Sequence, residues 1–216
     1  MSSLDRAFNP SATTSYTFRV GSTAPTVTPA VPAPEFGRPT TFTFRPDAAL
    51  QSKSPVVGYS VRTVGGVDDD RTIELAAAAN GTARTKLTLD GVAGERVEVT
   101  SRSANGWISD AASWGIFYDT TPVVASSAYP ENGSGGGAGV PGTFTFTFTF
   151  TPRVKGVVSY TYSFNGDPEV TVSADTHHAA SVEWAPASEG PYDLQVYATT
   201  RSGIQLTMYD YSFTVN

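Results

Sequence analysis

Residues 192–198 read Tyr-Asp-Leu-Gln-Val-Tyr-Ala, and residues 95–101, which lie 97 positions earlier, read Glu-Arg-Val-Glu-Val-Thr-Ser. Both stretches alternate inward apolar or small residues with mostly polar ones, which is the period of a β-strand buried on one face. The same shift of 97 carries Trp114 onto Tyr211, so these two are expected to be equivalent buried residues of a last strand. A repeat that keeps its inward positions apolar indicates two copies of one β-rich domain.

The repeat continues toward the start of each copy with a different spacing. Residues 56–61 correspond to residues 157–162 at a shift of 101, and residues 41–46 correspond to residues 147–152 at a shift of 106. We expect these length differences to fall in loops, because loops lie on the surface and tolerate insertions.

The predicted fold class is all-β, with two tandem antiparallel β-sandwich domains of seven strands each, at residues 22–119 and 120–216. Helix signals are weak, since the best alanine run, residues 76–79, leads directly into the turn dipeptide Asn80-Gly81. No helix longer than two turns is therefore expected.

Residues 1–21 are predicted to be the last strand of a preceding repeat plus a linker. Tyr16 and Phe18 repeat, at a shift of 98, the inward pattern of the strand that contains Trp114. A strand without its own sheet exposes unpaired backbone groups, so residues 14–20 are expected to pair with a sheet edge and to drive self-association. The first residues lack the features of a signal peptide, and a fragment of a larger protein is expected.

Residues 192–198, followed by Gly203, resemble the F strand and the F–G turn of a fibronectin type III domain. The resemblance implies that Tyr192 is a tyrosine-corner residue, whose hydroxyl bonds to nearby backbone. In the first copy Glu95 stands at this position, so its corner must be held differently.

Residues 118–122 and 159–166 resemble segments of immunoglobulin-like repeats from bacterial, particularly actinobacterial, surface and secreted proteins. Such repeats serve as spacers, adhesive modules or accessory domains of secreted enzymes. The resemblance implies a non-enzymatic spacer or presentation module of a secreted or cell-surface bacterial protein. The alternative is a carbohydrate- or protein-binding, adhesive module. Pro122 stiffens a short linker, so we expect the two domains to form a semi-rigid rod in which only residues 119–121 can act as a hinge.

Composition and charge exclude several kinds of partner. A net charge of −6 and 14 scattered cationic residues give no basic field for nucleic acid. Cys is absent, which excludes disulfides, thiolate nucleophiles and Cys-based zinc sites. No apolar run reaches the roughly 20 residues that a membrane helix needs, so membrane insertion is not expected. Only three of the cationic residues are Lys, a bias typical of GC-rich bacterial genomes.

No catalytic residue, metal site or cofactor is predicted. His177 and His178 are adjacent and would point to opposite faces of an extended segment, so a solvated loop is expected, and replacing both by Ala should hardly change stability. Three Asp at residues 68–70 lack the alternating ligand spacing of a calcium loop and predict a polar hairpin tip. The glycine-rich residues 131–139 precede a β pattern, which predicts a flexible A–B loop rather than a phosphate site.

Two aromatic features remain. Residues 143–151 alternate Thr with four Phe, and we expect most of this run in the core, which leaves room for Phe144 to overhang its end. The alternative is an exposed adhesive stripe, which would be an aggregation hazard. Trp107 follows Gly106 in the F–G loop, where an exposed Trp suits sugar stacking or a protein contact. The alternative for Trp107 is packing against a neighbouring domain or its own loop. It is the one ligand-binding candidate.

Overall fold

The computed structural model describes residues 22–67, 70–148, 154 and 156–216. In this part of the chain the strands form four sheets, paired as two tandem antiparallel β-sandwiches, and the all-β prediction is confirmed. The strand predicted at residues 14–20 lies outside the described residues, as do Asp68 and Asp69 of the predicted hairpin tip.

The first sandwich packs a three-stranded sheet, made of residues 26–29, 39–45 and 83–88, against a four-stranded one, made of residues 72–76, 56–64, 95–103 and 112–116. Side chains on alternate positions of both sheets fill the core between them, as at Phe42, Phe44 and Val97. Its strands are β1 (Thr26–Pro29), β2 (Pro39–Arg45), β3 (Val56–Val64), β4 (Thr72–Ala76), β5 (Ala83–Thr88), β6 (Glu95–Ser103) and β7 (Ala112–Ile116).

The second sandwich has the same layout, with sheets in the orders β13-β10-β8 and β12-β11-β14-β15-β9. Its extra strand, β9, has two residues and pairs in parallel with the end of β15, so the described part of this sandwich has eight strands where seven were predicted. Its strands are β8 (Pro122–Ala125), β9 (Ser134–Gly135), β10 (Gly142–Phe148), β11 (Val157–Phe164), β12 (Val170–Ser173), β13 (Ala180–Trp184), β14 (Gly190–Thr200) and β15 (Tyr209–Val215).

The last two strands of each copy confirm the shift of 97. Val97 pairs with Trp114 in the first sandwich, and Leu194 pairs with Tyr211 in the second. Tyr211 is buried as expected, but Trp114 is only half-buried, so that part of the prediction is wrong. The longer β8–β10 connection closes over Tyr211, whose hydroxyl donates to the Tyr129 carbonyl at 2.7 Å, whereas β7 is an exposed edge strand.

The Thr-Phe run is one place where the predicted alignment is wrong. Phe44 lies opposite Ala83 across β2 and β5, and Phe146 lies opposite Ala180 across β10 and β13. Phe44 is therefore equivalent to Phe146, at a shift of 102 rather than 106. A strictly alternating sequence looks unchanged after a slip of two or four residues, so the sequence pattern could not define this register.

Three of the four Phe of this run are described, and all of them lie in the core: Phe144, Phe146 and Phe148. The expected overhang of Phe144 is wrong, because its ring is fully buried and stacks on Tyr129 at 5.9 Å between centroids. Phe150 lies outside the described residues.

The glycine-rich connection follows a defined path, contrary to the expected flexible loop. Asn132 N–H donates to the Ser212 carbonyl at 2.7 Å, and Thr214 N–H donates to the Gly133 carbonyl at 2.9 Å. Gly136 has φ +62, and a Cβ there would lie 2.2 Å from the Tyr129 ring. The glycine is therefore required both by its backbone conformation and by the close approach of this ring.

One short helix, α1 (Ala48–Lys53), connects β2 and β3 and was not predicted. Asp47 caps it, because its carboxylate accepts a hydrogen bond from Leu50 N–H at 2.8 Å. Six residues are too few to show helical periodicity, and the cap was the only available signal.

Candidate functional site

Trp107 lies in the tight turn between β6 and β7, at one end of the first sandwich. Ser103 N–H donates to the Trp107 carbonyl at 2.9 Å, and Gly106 supplies the left-handed conformation with φ +87. The side chain of Trp107 is 55% exposed, and that of its neighbour Ile108 is 52% exposed. The structure therefore places two adjacent large apolar side chains on the surface here.

The turn between β14 and β15 has the same backbone arrangement in the second sandwich. Thr200 N–H donates to the Ile204 carbonyl at 3.0 Å, so Ile204 takes the place of Trp107. Ile204 is half-buried, and it lines a groove of about 490 Å³ whose other wall comes from the first sandwich, at Gly65 and Val92. The turn that is open to solvent in the first sandwich thus faces another domain in the second.

Thr120, in the linker between β7 and β8, makes the central contact of this junction. The residue is 1% exposed, and its hydroxyl donates to the Val92 carbonyl at 2.6 Å. Since the Thr120 proton goes to Val92, the Thr207 hydroxyl donates to the Thr120 hydroxyl at 2.7 Å, and its oxygen lies 3.4 Å from the same carbonyl oxygen. Because Val92 belongs to the first sandwich and Thr207 to the second, these hydrogen bonds tie the linker to both.

A second groove, of about 510 Å³, also has walls from both sandwiches. Residues 36–39 form one wall, and residues 200–202 with Gly156 form the other. Glycine, serine, threonine and arginine predominate in this lining. This groove is therefore lined mainly by polar side chains and glycine, while the hydrogen bonds of Thr120 connect the two sandwiches.

The corner residues of the two copies use opposite hydrogen-bond chemistry. The Tyr192 hydroxyl donates to the Ser188 carbonyl at 3.1 Å, as the resemblance implied. Glu95, which is 6% exposed, instead accepts from Asp90 N–H at 2.7 Å and from Gly91 N–H at 3.1 Å. Glu95 therefore holds the β5–β6 connection, which forms the first sandwich's wall of the junction.

The two histidines form no common site. Asp175 accepts hydrogen bonds from the N–H groups of Ala179 and His177, and these lower the pKa of its carboxyl. His177 is exposed as expected, but His178 is half-buried, with its Nδ1 2.9 Å from the Val157 carbonyl oxygen. The predicted solvated position is wrong for His178, because the turn directs its ring back onto β11.

The strongly raised pKa values belong to tyrosines in the core and to Tyr209 outside it, where a hydrogen bond to the Glu131 carboxylate raises the pKa to about 12. Burial raises the pKa of Tyr59 to about 12, and burial also raises the pKa values of Tyr118 and Tyr160. Each hydroxyl donates to a backbone carbonyl, at 2.6 Å from Tyr59 to Gly81 for example. These groups are structural hydrogen-bond donors to the backbone, and the nearby carboxylates of Glu95 and Asp90 raise the pKa of Tyr118 further.

Charged side chains elsewhere make ordinary surface contacts. Asp70, the described residue of the predicted hairpin tip, forms an ion pair with Arg62. Among the described residues, no group of three His, Asp or Glu could hold a metal ion. No helix in the same part of the chain is long and apolar enough to cross a membrane.

Comparisons with known proteins found similarity at the level of solved structures. No protein-family model matches the chain, and no curated protein sequence matches it. The fibronectin(III)-like modules of CbhA from Clostridium thermocellum are 16% identical, with a TM-score of 0.33 over 88% of this chain and 94% of that one. A two-domain fibronectin type-III segment of chicken tenascin is 11% identical, with a TM-score of 0.35 over 88% of this chain and 98% of that one.

The central fibronectin-III array of RIM-binding protein is 15% identical, with a TM-score of 0.32 over 90% of this chain and 70% of that one. These values are too low to carry a functional argument. The fold follows from the strand orders and registers, since each copy packs a three-stranded sheet against a larger one. By its fold, the chain is a tandem pair of antiparallel β-sandwiches.

Proposed function

We propose that the chain is a non-enzymatic spacer that presents other parts of a secreted or cell-surface bacterial protein at a fixed separation. The observation that carries this proposal is the buried hydroxyl of Thr120, which bonds to Val92 of one sandwich and to Thr207 of the other. A linker held in this way transmits the orientation of one domain to the next.

The energetics of the junction support a preferred orientation. Hydrogen bonds of this kind contribute about 0.5–1.5 kcal/mol each, and about 1.4 kcal/mol is a tenfold shift in a population. The contacts of Thr120 and Thr207 with the Val92 carbonyl therefore favour the docked arrangement by roughly tenfold. Pro122 adds to this preference, because its fixed φ restricts the chain directly after the linker.

The proposed extracellular, bacterial setting is supported by the resemblance of residues 118–122 and 159–166 to bacterial surface repeats. The scarcity of Lys among the cationic residues is in keeping with a bacterial source. The acidic net charge of −6 gives no support to a nucleic-acid partner.

A binding role is the second candidate, and one observation favours it. Trp107 and Ile108 are adjacent, large and exposed, and an exposed Trp can stack on a sugar ring or fill a pocket of a protein partner. A saccharide that changes the fluorescence of the wild type, but not that of Trp107→Ala, would support this adhesive function.

The spacer proposal is tested by spin-label distances, which the absence of native Cys makes straightforward. Arg84→Cys and Glu183→Cys place labels on exposed positions of the two sandwiches. The control pair, Arg84→Cys and Glu74→Cys, lies within the first sandwich, so the width of its distance distribution comes from the flexibility of the labels alone. We expect a distance distribution between sandwiches nearly as narrow as that of the control. A broad or multiple distribution would contradict a spacer of fixed length.

A further inference from the structure

The first sandwich carries, at its own N-terminal end, the arrangement that the second sandwich uses to contact the first. Thr23 and Asp110 stand at the positions of Thr120 and Thr207, at the same shift of 97. Asp110 N–H donates to the Thr23 hydroxyl at 3.1 Å, just as Thr207 N–H donates to the Thr120 hydroxyl at 3.3 Å. The backbone framework of a junction is therefore already formed at this end.

We propose that this end is a docking face for a further β-sandwich joined in tandem before residue 22. The face consists of Thr23, Trp107, Ile108 and Asp110, and we call it the N-terminal face. The proposal rests on the same junction geometry that supports the spacer function, and it assigns the exposed Trp107 to a contact between domains rather than to a sugar.

The exposure of equivalent residues supports this assignment. Ile204, which faces the first sandwich, is half-buried, whereas Trp107 at the same position of the same turn is 55% exposed. The next residue is Ile108 in the first copy and Gln205 in the second, so the N-terminal face is the more apolar of the two. A docked domain would remove this apolar surface from water, which is favourable.

Asp110 defines the chemistry of the partner. At the observed junction the Val92 carbonyl accepts from the Thr120 hydroxyl, to which the Thr207 hydroxyl donates in turn. A carboxylate cannot donate, so Asp110 would repel a carbonyl in that place. The partner's loop is therefore expected to direct an N–H group, Lys or Arg toward Asp110, and to lay an apolar side chain over Trp107.

A second copy of this chain does not offer that chemistry. The far end of the second sandwich carries Glu189 at the position equivalent to Val92, with the exposed Asp167 in the neighbouring β11–β12 turn. Docking it onto the N-terminal face would bring these carboxylates toward Asp110, and like charges across an interface oppose association. Head-to-tail binding between copies is therefore disfavoured.

The first test uses the chain itself. Sedimentation velocity at rising concentration should show no association that Trp107→Ala abolishes, since pairing through residues 14–20 would not depend on this side chain. Trp107→Ala should change the free energy of unfolding little, because more than half of Trp107 is exposed. The matched change Ile204→Ala should lower that free energy. If the chain associates and Trp107→Ala abolishes the association, the occupant is a second copy and the proposal is overturned. It is also overturned if Trp107→Ala destabilises as much as Ile204→Ala, since the residue then packs on its own domain.

The second test supplies a preceding sandwich, by placing residues 1–119 before residues 23–216 in one chain. Trp107→Phe in the upstream copy leaves one Trp107, whose solvent exposure is read by fluorine NMR of fluorotryptophan. The solvent-isotope shift of the fluorine signal reports how exposed the ring is. We expect the downstream Trp107 to lose this shift in the chain whose downstream copy carries Asp110→Thr. In the chain that keeps Asp110 there, Trp107 should retain more of it. An equally exposed Trp107 in both chains would overturn the proposal. The orientation of the original two sandwiches, followed by spin labels, reports separately on the spacer function.

Discussion

At the residue scale, the position of Glu95 shows what the repeat could and could not predict. The sequence alignment placed Glu95 where the second copy has Tyr192, and it indicated that the first corner must be held by other means. It could not identify those means, because a carboxylate needs donors while a tyrosine hydroxyl can donate to a carbonyl. The donors are backbone N–H groups of Asp90 and Gly91, and only the path of the β5–β6 connection brings them to Glu95.

Replacing Glu95 should destabilise the first sandwich selectively. Glu95→Ala leaves the buried N–H of Gly91 and the half-buried N–H of Asp90 without their acceptor, and an unsatisfied buried group costs about 1–3 kcal/mol. Glu95→Gln keeps one acceptor oxygen and should cost less. The control, Glu98→Ala on the same strand, removes only partly exposed ion pairs and should cost less than about 1 kcal/mol. Native-state hydrogen exchange of β6 amides measures the stability of the first sandwich, and exchange of β14 amides measures that of the second. Equal losses of stability in Glu95→Ala and Glu98→Ala would refute the corner role of Glu95.

His177 and His178 form a second matched pair. His178→Ala removes a half-buried ring that bonds to the Val157 carbonyl, and we expect a loss of about 1 kcal/mol in the free energy of unfolding of the second sandwich. His177→Ala changes an exposed side chain and should cost less than about 0.5 kcal/mol. Urea unfolding measures both, and similar small effects would restore the original prediction of a solvated pair.

Tyr59 should make stability fall at alkaline pH. Its pKa is raised to about 12 in the folded chain, while an unfolded tyrosine ionises near a pH of about 10. Between these values the unfolded chain has released a proton that the folded chain still holds, so the free energy of unfolding decreases as pH rises. Below a pH of about 10 the full contribution is present.

Urea unfolding across this pH range measures the effect, and Tyr59→Phe should give a shallower decrease than the wild type. Tyr59→Phe should also lose about 1 kcal/mol at neutral pH, because the hydrogen bond to the Gly81 carbonyl disappears. An identical alkaline slope in both proteins would show that Tyr59 does not contribute.

At the element scale, strand existence was predictable and register was not. Alternation identified the strands that contain Phe44 and Phe146, since the inward period of two is visible in the sequence. Their correspondence depends on which residues they face across the sheet, Ala83 and Ala180, and an alternating run carries no such information. The extra residues of the second copy therefore lie in the β8–β10 connection, where they form β9.

That connection is a packed element, and a glycine pair tests this. Gly136→Ala would place a Cβ 2.2 Å from the Tyr129 ring in addition to straining a φ of +62. Gly139→Ala has a similar φ of +75 but nothing within 4 Å, so it carries the strain alone, about 1–2 kcal/mol. We expect Gly136→Ala to lower the free energy of unfolding by about 1–3 kcal/mol more than Gly139→Ala, because overpacking usually costs this much. Thermal unfolding compares the two variants, and equal shifts would mean that the loop moves away from Tyr129.

At the scale of the whole molecule, the sequence indicated a short, proline-stiffened linker, and the structure adds the contacts that orient the domains. The repeat located residues 119–121 between the copies, but no pattern links Thr120 with Val92 and Thr207, which are distant in sequence. Such contacts arise from the ends of two folded sandwiches, so they depend on tertiary structure that local sequence does not encode. The sequence also could not decide whether Trp107 contacts a ligand or packs against a domain or its own loop, because that choice depends on tertiary structure too.

We infer that the Thr120 junction holds the two sandwiches in one orientation. Residual dipolar couplings of backbone amides, measured in a weakly aligned sample, test it most directly. In the wild type one alignment tensor should fit both sandwiches. Thr120→Val with Thr207→Val, which removes the two hydroxyls while keeping their volume, should give tensors of different magnitude, and the exposed control Thr88→Val should not. Two tensors of different magnitude in the wild type would show that the sandwiches reorient independently, and would contradict the claim.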